Sequence, residues 1–148
     1  MLAYSTAADF LHLPRSLRAS GQVREPNGPV ELVAVDKLLP SAIATLTERL
    51  GMPEAQVVKA AGMASRTWHT RKARNAALSS READGVLRIA RIAAEAVRVF
   101  GTEAKARRWL ATPHALFSSK PPFDLLDSDA GVQAVEEALG RIHWGDYT

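Results

Sequence analysis

The longest periodic stretch of this chain is SSREADGVLRIARIAAEAVRVFG, residues 79–101. Its start carries the pattern S-x-x-E at Ser79 and Glu82, a capping box that satisfies two otherwise unpaired backbone N–H groups at a helix N-terminus. Apolar residues then recur at helical spacing on one wide stripe, and Gly101 is typical of the position just past a helix end. We expect a helix over 80–99 that is buried on two sides and links the segments before and after it.

Shorter helices are predicted on both sides of this stretch. Most of them have apolar residues three and four positions apart, and turn or capping residues mark most of their ends. In chain order they cover 37–50, 54–61, 65–74, 103–111 and 128–142, with expected caps at Ser41, Ser65, Thr102 and either Asp127 or Ser128. Ala7 to Leu13 adds a short candidate helix. No stretch alternates convincingly as a strand does, so the predicted fold class is all-α.

Composition agrees with this class and narrows the chemistry. Alanine is abundant and aromatic residues make up only 6% of the chain, which favours helices over sheet. There is no cysteine, so disulfides, thiolate metal sites and cysteine nucleophiles are excluded. The four histidines are scattered, which argues against a metal site. No apolar run approaches the roughly 20 residues of a membrane span, so we expect a cytoplasmic protein.

The segment 54–74 has the form of a helix-turn-helix, with a short helix, a turn containing Gly62 and a second, basic helix. No acidic residue lies between Glu54 and Glu82, whereas six basic residues do. An acid-free basic surface suits DNA, because each Lys or Arg placed on a phosphate releases a counterion. The residues expected to contact DNA are Ser65, Arg66, His69, Thr70, Arg71, Lys72 and Arg74.

These residues are assigned different roles on the expected DNA surface. Trp68 is expected to anchor the second helix in the core, and Arg66 is the best candidate for a bidentate guanine contact. Arg71, Lys72 and Arg74 are expected nearer the phosphate backbone. The alternative is that 65–74 is only a solvated basic helix in a small bundle.

The end of the chain has the opposite charge. The last 36 residues carry six acidic and two basic side chains, a formal charge of about −4, against about +7 for the rest. A basic body with an acidic end suggests two different partners.

The second half of the chain also carries a connected series of short motifs. They are Leu78-Ser79 with Glu82 and Asp84, VFG at 99–101, KARRWLATP at 105–113, PPFDLLDSDAG at 121–131, VEEALGRI at 135–142 and the ending Gly145-x-Tyr147-Thr148. Through this series, residues 78–148 resemble the Xre/MbcA/ParS type of antitoxin, the partner of RES-domain toxins. The resemblance covers about half the chain.

The resemblance implies an antitoxin without enzymatic activity, catalytic residues or cofactor. Its C-terminal region would cover the active-site entrance of a RES-domain toxin, which consumes NAD. An Xre-like helix-turn-helix domain would dimerise, bind the operator DNA of its own operon and repress it, within a larger toxin–antitoxin complex. The implied division is a variable N-terminal arm at 1–36, the helix-turn-helix domain at 37–98 and the toxin-binding domain at 99–148.

The residues expected to contact the toxin lie at the end of the chain. Acidic side chains and the terminal carboxylate would complement an electropositive dinucleotide site, and Trp144 and Tyr147 would bury aromatic area as interface anchors often do. Gly145 would let the chain turn away from the helix. The full set is Glu136, Glu137, Arg141, Trp144, Gly145, Asp146, Tyr147 and Thr148.

Two rival functions remain open at this point. A stand-alone transcriptional regulator without a toxin would use the same basic helix-turn-helix, and its C-terminal module would only dimerise, for which the stripe of helix 80–99 offers apolar surface. A small enzyme would need a convergent polar constellation, and neither cysteine, clustered histidine nor a Gly-rich phosphate loop is present to supply one.

Overall fold

A computed structural model of the chain describes residues 7–11, 18–25, 28–33 and 38–145. Most of the described residues are helical. The helices are α1 Ala7–Phe10, α2 Ser41–Leu50, α3 Glu54–Ala60, α4 Ser65–Arg74, α5 Ser80–Phe100, α6 Glu103–Ala111 and α7 Asp129–His143. Two short 3-10 turns, Ala115–Phe117 and Pro122–Leu125, connect α6 to α7. The predicted all-α class is confirmed for the packed body of the protein.

A two-stranded hairpin was not predicted. Strand β1, Arg18–Glu25, pairs antiparallel with β2, Gly28–Val33, and Glu25 lies opposite Gly28. The segment Gly21–Val30 is rich in turn-forming residues, but the residues on either side alternate too weakly to predict strands. Both strands, α1 and the Leu11 that follows it fall within the predicted arm at 1–36, and the other residues of that arm lie outside the described residues.

Helix α5 forms as predicted and lies at the centre of the fold. The capping box is present, because the Glu82 N–H donates to Ser79 Oγ at 3.2 Å and the Ser79 N–H donates to Glu82 Oε2 at 3.1 Å. Gly101 ends the helix in a left-handed conformation. Helices α1, α2, α6 and α7 all pack on α5. Its buried residues are Ala83, Gly85, Val86, Ile89, Ala90, Ile92, Ala93, Ala94, Ala96 and Val97.

This burial changes one expectation about dimerisation. The apolar stripe of α5, expected to offer a dimer surface, is covered by the chain's own helices. The predicted use of this stripe in a dimer is therefore not available in the folded chain. The stripe is instead part of one hydrophobic cluster, whose members range along the chain from Phe10 to Leu139. The predicted domain border at 98/99 therefore falls inside a shared core.

The helix-turn-helix lies directly against α5. Gly85 makes this approach possible, because a Cβ at that position would stand 2.1 Å from the carbonyl oxygen of Ala61. Ala61 ends α3, and Gly62 turns the chain with φ of +75° towards α4. Trp68 anchors α4 as predicted, since only 3% of it is exposed.

Two of the predicted helix caps are wrong, although α4 covers the predicted residues 65–74. Ser41 and Ser65 are first helical residues rather than caps, and Pro40 and Ala64 precede them without any side-chain cap. Helix α2 begins at Ser41 rather than at residue 37, because a proline disfavours helical geometry at the residue before it. The caps at Thr102 and Ser128 are confirmed.

The C-terminal part folds back onto α5 through α7. Val132, Val135 and Leu139 are buried as their spacing of three and four residues predicts, whereas Ile142 on the same stripe is only half-buried. Gly131 allows the start of α7 to lie on the preceding turn, because a Cβ there would stand 1.8 Å from the carbonyl oxygen of Leu125. This contact fixes the direction in which α7 leaves the turn.

The two helical glycines of α7 provide a matched test of this contact. Gly131→Ala should lower the free energy of unfolding by about 1–3 kcal/mol, since the added methyl forces the backbone of the turn to move. Gly140→Ala meets nothing within 4 Å and should raise the free energy of unfolding by about 0.5–1 kcal/mol, the usual gain in a helix interior. Denaturant titrations of the two variants measure both effects. Equal gains in both would show that α7 does not lie against Leu125.

Candidate functional site

Helix α4 presents most of its polar residues to solvent. Its single buried residue is Trp68, which turns the opposite face of the helix outward. Among the residues predicted to contact DNA, the exposed ones are Ser65, Arg66, His69, Thr70, Lys72 and Arg74. Within the described part of the chain, the Arg66 and Arg74 guanidinium groups form no ion pair. The structure therefore places these predicted residues on one accessible helix, and their role with DNA stays a prediction.

Two basic residues of α4 are already paired with carboxylates. Lys72 Nζ lies 2.9 Å from Glu54 Oε1, at the first residue of α3. Arg71 Nε and Nη2 each lie 3.3 Å from an oxygen of Glu82, in the capping box of α5. The two acids that bound the acid-free interval in sequence are thus folded back onto its bases.

Both carboxylates are held in the charged form. The hydrogen bond from Lys72 lowers the pKa of Glu54 below its ordinary value. Burial alone would raise the pKa of Glu82, but the hydrogen bonds from the Ser79 backbone and from Arg71 outweigh it and the pKa is lowered. Each acid therefore faces its base as a full negative charge at neutral pH.

A second set of ion pairs joins α5 to α7. Arg88 Nη1 lies 3.4 Å from Asp129 Oδ1, and Arg91 Nη2 lies 2.9 Å from Glu136 Oε1. Arg88 also donates to the carbonyl of Ala60 at 3.5 Å, so this side chain links α5 to α3 as well as to α7. Glu136, predicted to contact a toxin, is thus half-buried and engaged with α5.

The other residues predicted at the end of α7 form an exposed face. Glu137, Arg141 and Trp144 follow one another at spacings of four and three, so they share one side of the helix. Trp144 is 80% exposed, and His143 contacts its ring edge-on with centroids 5.2 Å apart. Gly145 has φ of +75°, a left-handed conformation that glycine adopts readily. Asp146, Tyr147 and Thr148 lie outside the described residues.

A loop between α6 and α7 presents another exposed apolar side chain. The rings of Trp109, His114 and Phe117 contact one another around the turn Ala115–Phe117, with Phe117 edge-on to the other two. Leu116, on the outside of this turn, is 63% exposed. The loop and the end of α7 thus each show one large apolar side chain to solvent.

Comparison with known proteins relates the C-terminal part of the chain to a protein family. Residues 95–145 match the family model described as the antitoxin Xre/MbcA/ParS C-terminal toxin-binding domain. This C-terminal part of the chain therefore carries a domain of the Xre/MbcA/ParS antitoxin type. The family domain includes the last six residues of α5, the whole of α6, the two 3-10 turns and the whole of α7 with its exposed end.

Two curated relatives are similar over longer stretches. A protein named Antitoxin Xre from Pseudomonas putida is 40% identical over 80 residues, which cover 54% of this chain and 50% of the relative. A protein of the same name from Yersinia enterocolitica is 28% identical over 98 residues, or 66% of each chain. The chain thus spans about half to two thirds of the length of these Xre relatives.

Other kinds of site find no support in the described residues. No group of three or more His, Asp or Glu side chains among them is arranged to hold a metal ion. None of the helices in that part of the chain is long and apolar enough to cross a membrane.

The ion pairs are the part of the site that sequence reasoning missed. Charged residues follow α5 at positions 81, 84, 88, 91, 95 and 98, alternating steps of three and four. That spacing places them on one line along the helix and is the signal that would have predicted a polar edge. It does not reveal the partners, because Asp129 and Glu136 are distant in sequence.

Glu95 is a further missed residue, at the point where the family domain begins. Burial raises the pKa of Glu95 and the nearby charge of Glu136 raises it further, while Arg98 and Arg91 act in the opposite direction. The ionised carboxylate is therefore disfavoured in the folded protein.

This raised pKa predicts a pH-dependent effect of removing the charge. The stabilising contribution of Glu95 is complete below its ordinary pKa of 4.5 and is lost as pH rises through the folded-state pKa. Glu95→Gln should therefore raise the thermal midpoint at pH 7, and the advantage should shrink as the pH is lowered through the folded-state pKa and vanish below 4.5. The exposed Glu137→Gln serves as control and should show a smaller change. A lower midpoint of Glu95→Gln at pH 7 would mean that pairing with Arg91 and Arg98 outweighs burial.

Proposed function

We propose that this protein is a cytoplasmic antitoxin that binds a RES-domain toxin with the exposed face at the end of α7 and the residues that follow it. The family domain at 95–145, described as toxin-binding, supports a toxin partner. The observation that carries the location is Trp144, whose large apolar side chain is 80% exposed at the end of that domain. Burying such a ring in a partner is a common source of binding energy.

The proposed mechanism is occlusion with charge complementarity. A toxin that binds and consumes NAD needs a positively charged site for the diphosphate, and Glu137, Asp146 and the terminal carboxylate would oppose that charge. Arg141 lies on the same exposed face and would meet acidic groups at the rim. Glu136 would act indirectly, since its pair with Arg91 holds α7 on α5. Such an inhibitor needs neither a catalytic residue nor a cofactor.

A change at Trp144 tests this location. Trp144→Ala should weaken toxin binding by about tenfold or more, as for a buried aromatic anchor worth roughly 2 kcal/mol. Leu116→Ala removes a similarly exposed apolar side chain from another surface and should bind normally. Co-expression with the RES-domain protein encoded beside it, followed by co-purification and measurement of cellular NAD, provides the readout.

A truncation extends the same test to the whole tail. Ending the chain after His143 keeps α7 intact and removes residues 144–148. This version should fail to preserve NAD. If it protects the cells as well as the full chain, the occlusion mechanism is wrong. If neither version binds the toxin, the stand-alone regulator becomes the better account.

We further propose that α3 and α4 bind operator DNA, with a homodimer contacting two half-sites. The exposed polar face of α4 supports this, because a helix-turn-helix inserts its second helix into the major groove. The DNA surface would consist of Ser65, Arg66, His69, Thr70 and Arg74, with Arg71 and Lys72 beside it.

Arg66 tests the DNA proposal. Arg66→Ala should weaken binding to the promoter of the operon by roughly 1–3 kcal/mol and relax sequence preference, as expected for loss of a guanine contact. Arg108→Ala removes an equally exposed charge from α6 and should have little effect on sequence preference. Fluorescence anisotropy with promoter and scrambled duplexes measures both. Equal losses for the two variants would assign Arg66 a purely electrostatic role.

A further inference from the structure

The last two turns of α4 are held between two carboxylates on different helices. Glu54 begins α3 and pairs with Lys72, while Glu82 lies in the first turn of α5 and pairs with Arg71. Lys72 Nζ also lies 5.9 Å from the centre of the Trp68 ring, so the ammonium group has a cation–π contact with a residue of its own helix as well. Two of the four bases of α4 are therefore partnered within the chain.

These pairs oppose DNA binding in two ways. A base that is paired with a carboxylate has to give up that ion pair before it can pair with a DNA phosphate. The gain from the new pair is therefore reduced by the loss of the old one. In addition, each carboxylate brings a negative charge close to a surface that would face phosphates. Both effects act on any DNA sequence, because phosphates carry no base information.

We propose that Glu54 and Glu82 act as an electrostatic brake on α4, competing with DNA phosphates for Lys72 and Arg71 and so keeping affinity for arbitrary DNA low. The inference rests on the DNA-binding part of the proposed function and adds a regulation to that surface. Base contacts from Arg66 are untouched by the brake, so it lowers non-specific binding more than specific binding. A repressor needs a high ratio of specific to non-specific affinity, because its operator competes with many other DNA sites.

The two pairs differ in how readily they open. The side chains of Lys72 and Glu54 are 56% and 36% exposed, so water screens this pair and a phosphate can replace the carboxylate at little cost. Glu82 is only 12% exposed, accepts two hydrogen bonds from Arg71 and is fixed by the capping box. The Glu82 pair should therefore be the stronger part of the brake.

The test compares variants that remove each negative charge. Glu54→Gln and Glu82→Gln are measured singly and together, and glutamine at residue 82 keeps the capping box because its oxygen still accepts from Ser79. Glu48→Gln is the matched control, since Glu48 is exposed on α2 and forms no ion pair in the described part of the chain. Binding to a scrambled duplex is measured over a range of salt concentrations, and retention on heparin serves as a second polyanion probe. Thermal midpoints report whether α4 stays in place.

The brake predicts tighter binding. Each single variant should bind scrambled DNA about two- to fivefold more tightly than the control, the range that releasing one ion pair provides. In the double variant, the slope of log K against log salt should steepen by roughly 0.9 for each base that reaches a phosphate. Promoter binding should gain less than scrambled binding, so the specificity ratio should fall.

Three other outcomes are distinguishable. If the Glu54 and Glu82 variants bind scrambled DNA only as tightly as Glu48→Gln, the brake is overturned, because the net charge of the protein would then explain the affinity. Weaker binding with a lower thermal midpoint also overturns it and assigns the pairs to holding α4 in position. If no version binds promoter DNA but the double variant is retained more strongly on heparin, the DNA function fails while the competition between carboxylate and polyanion stands.

Discussion

The packing of α5 on its neighbours is the constraint on which the rest of the structure depends. Four other helices lie against it, and residues on most of its circumference are buried. Close approach is possible because the helix is rich in small residues, and at Gly85 even one methyl group would collide with the turn after α3. The helix-turn-helix and the family domain therefore share a core, and α4 and the end of α7 are surfaces of one packed body.

Charges are distributed around this core in a way that suits two different partners. Acidic residues of α3, α5 and α7 are paired with arginine or lysine on a neighbouring helix, which leaves specific groups exposed. On α4 the exposed guanidinium groups are those of Arg66 and Arg74, and on α7 the exposed face carries Glu137, Arg141 and Trp144. The basic body recognised in the sequence thus includes an exposed basic face on α4, whereas the described face at the end of α7 carries one acidic and one basic side chain beside Trp144.

Local features of the fold could be predicted from sequence, and contacts between distant residues could not. The α5 capping box, the caps at Thr102 and Ser128 and the burial of Trp68 follow from short patterns whose physical causes lie within one or two turns. The pairing of β1 with β2 was not predicted because apolar and polar residues alternate only weakly along the two strands. Helix α2 was predicted too long because the effect of Pro40 on the preceding residues was overlooked.

The candidate surfaces show the same limit. Sequence reasoning selected α4 and the end of α7, but it grouped Glu136 with Glu137, although helix geometry turns one towards α5 and the other towards solvent. It also left Arg71 and Lys72 free, since nothing local reveals that Glu82 and Glu54 reach them. Pairings of this kind depend on how whole helices pack, which short motifs do not encode.

Hydrogen–deuterium exchange of the protein alone and in complex with the proposed RES-domain toxin tests the account most directly. At short labelling times, the account predicts slower exchange for the amides of residues 141–148 in the complex and unchanged exchange along α4. Protection of α4 with an unaffected end of α7 would contradict the proposed division of the two surfaces.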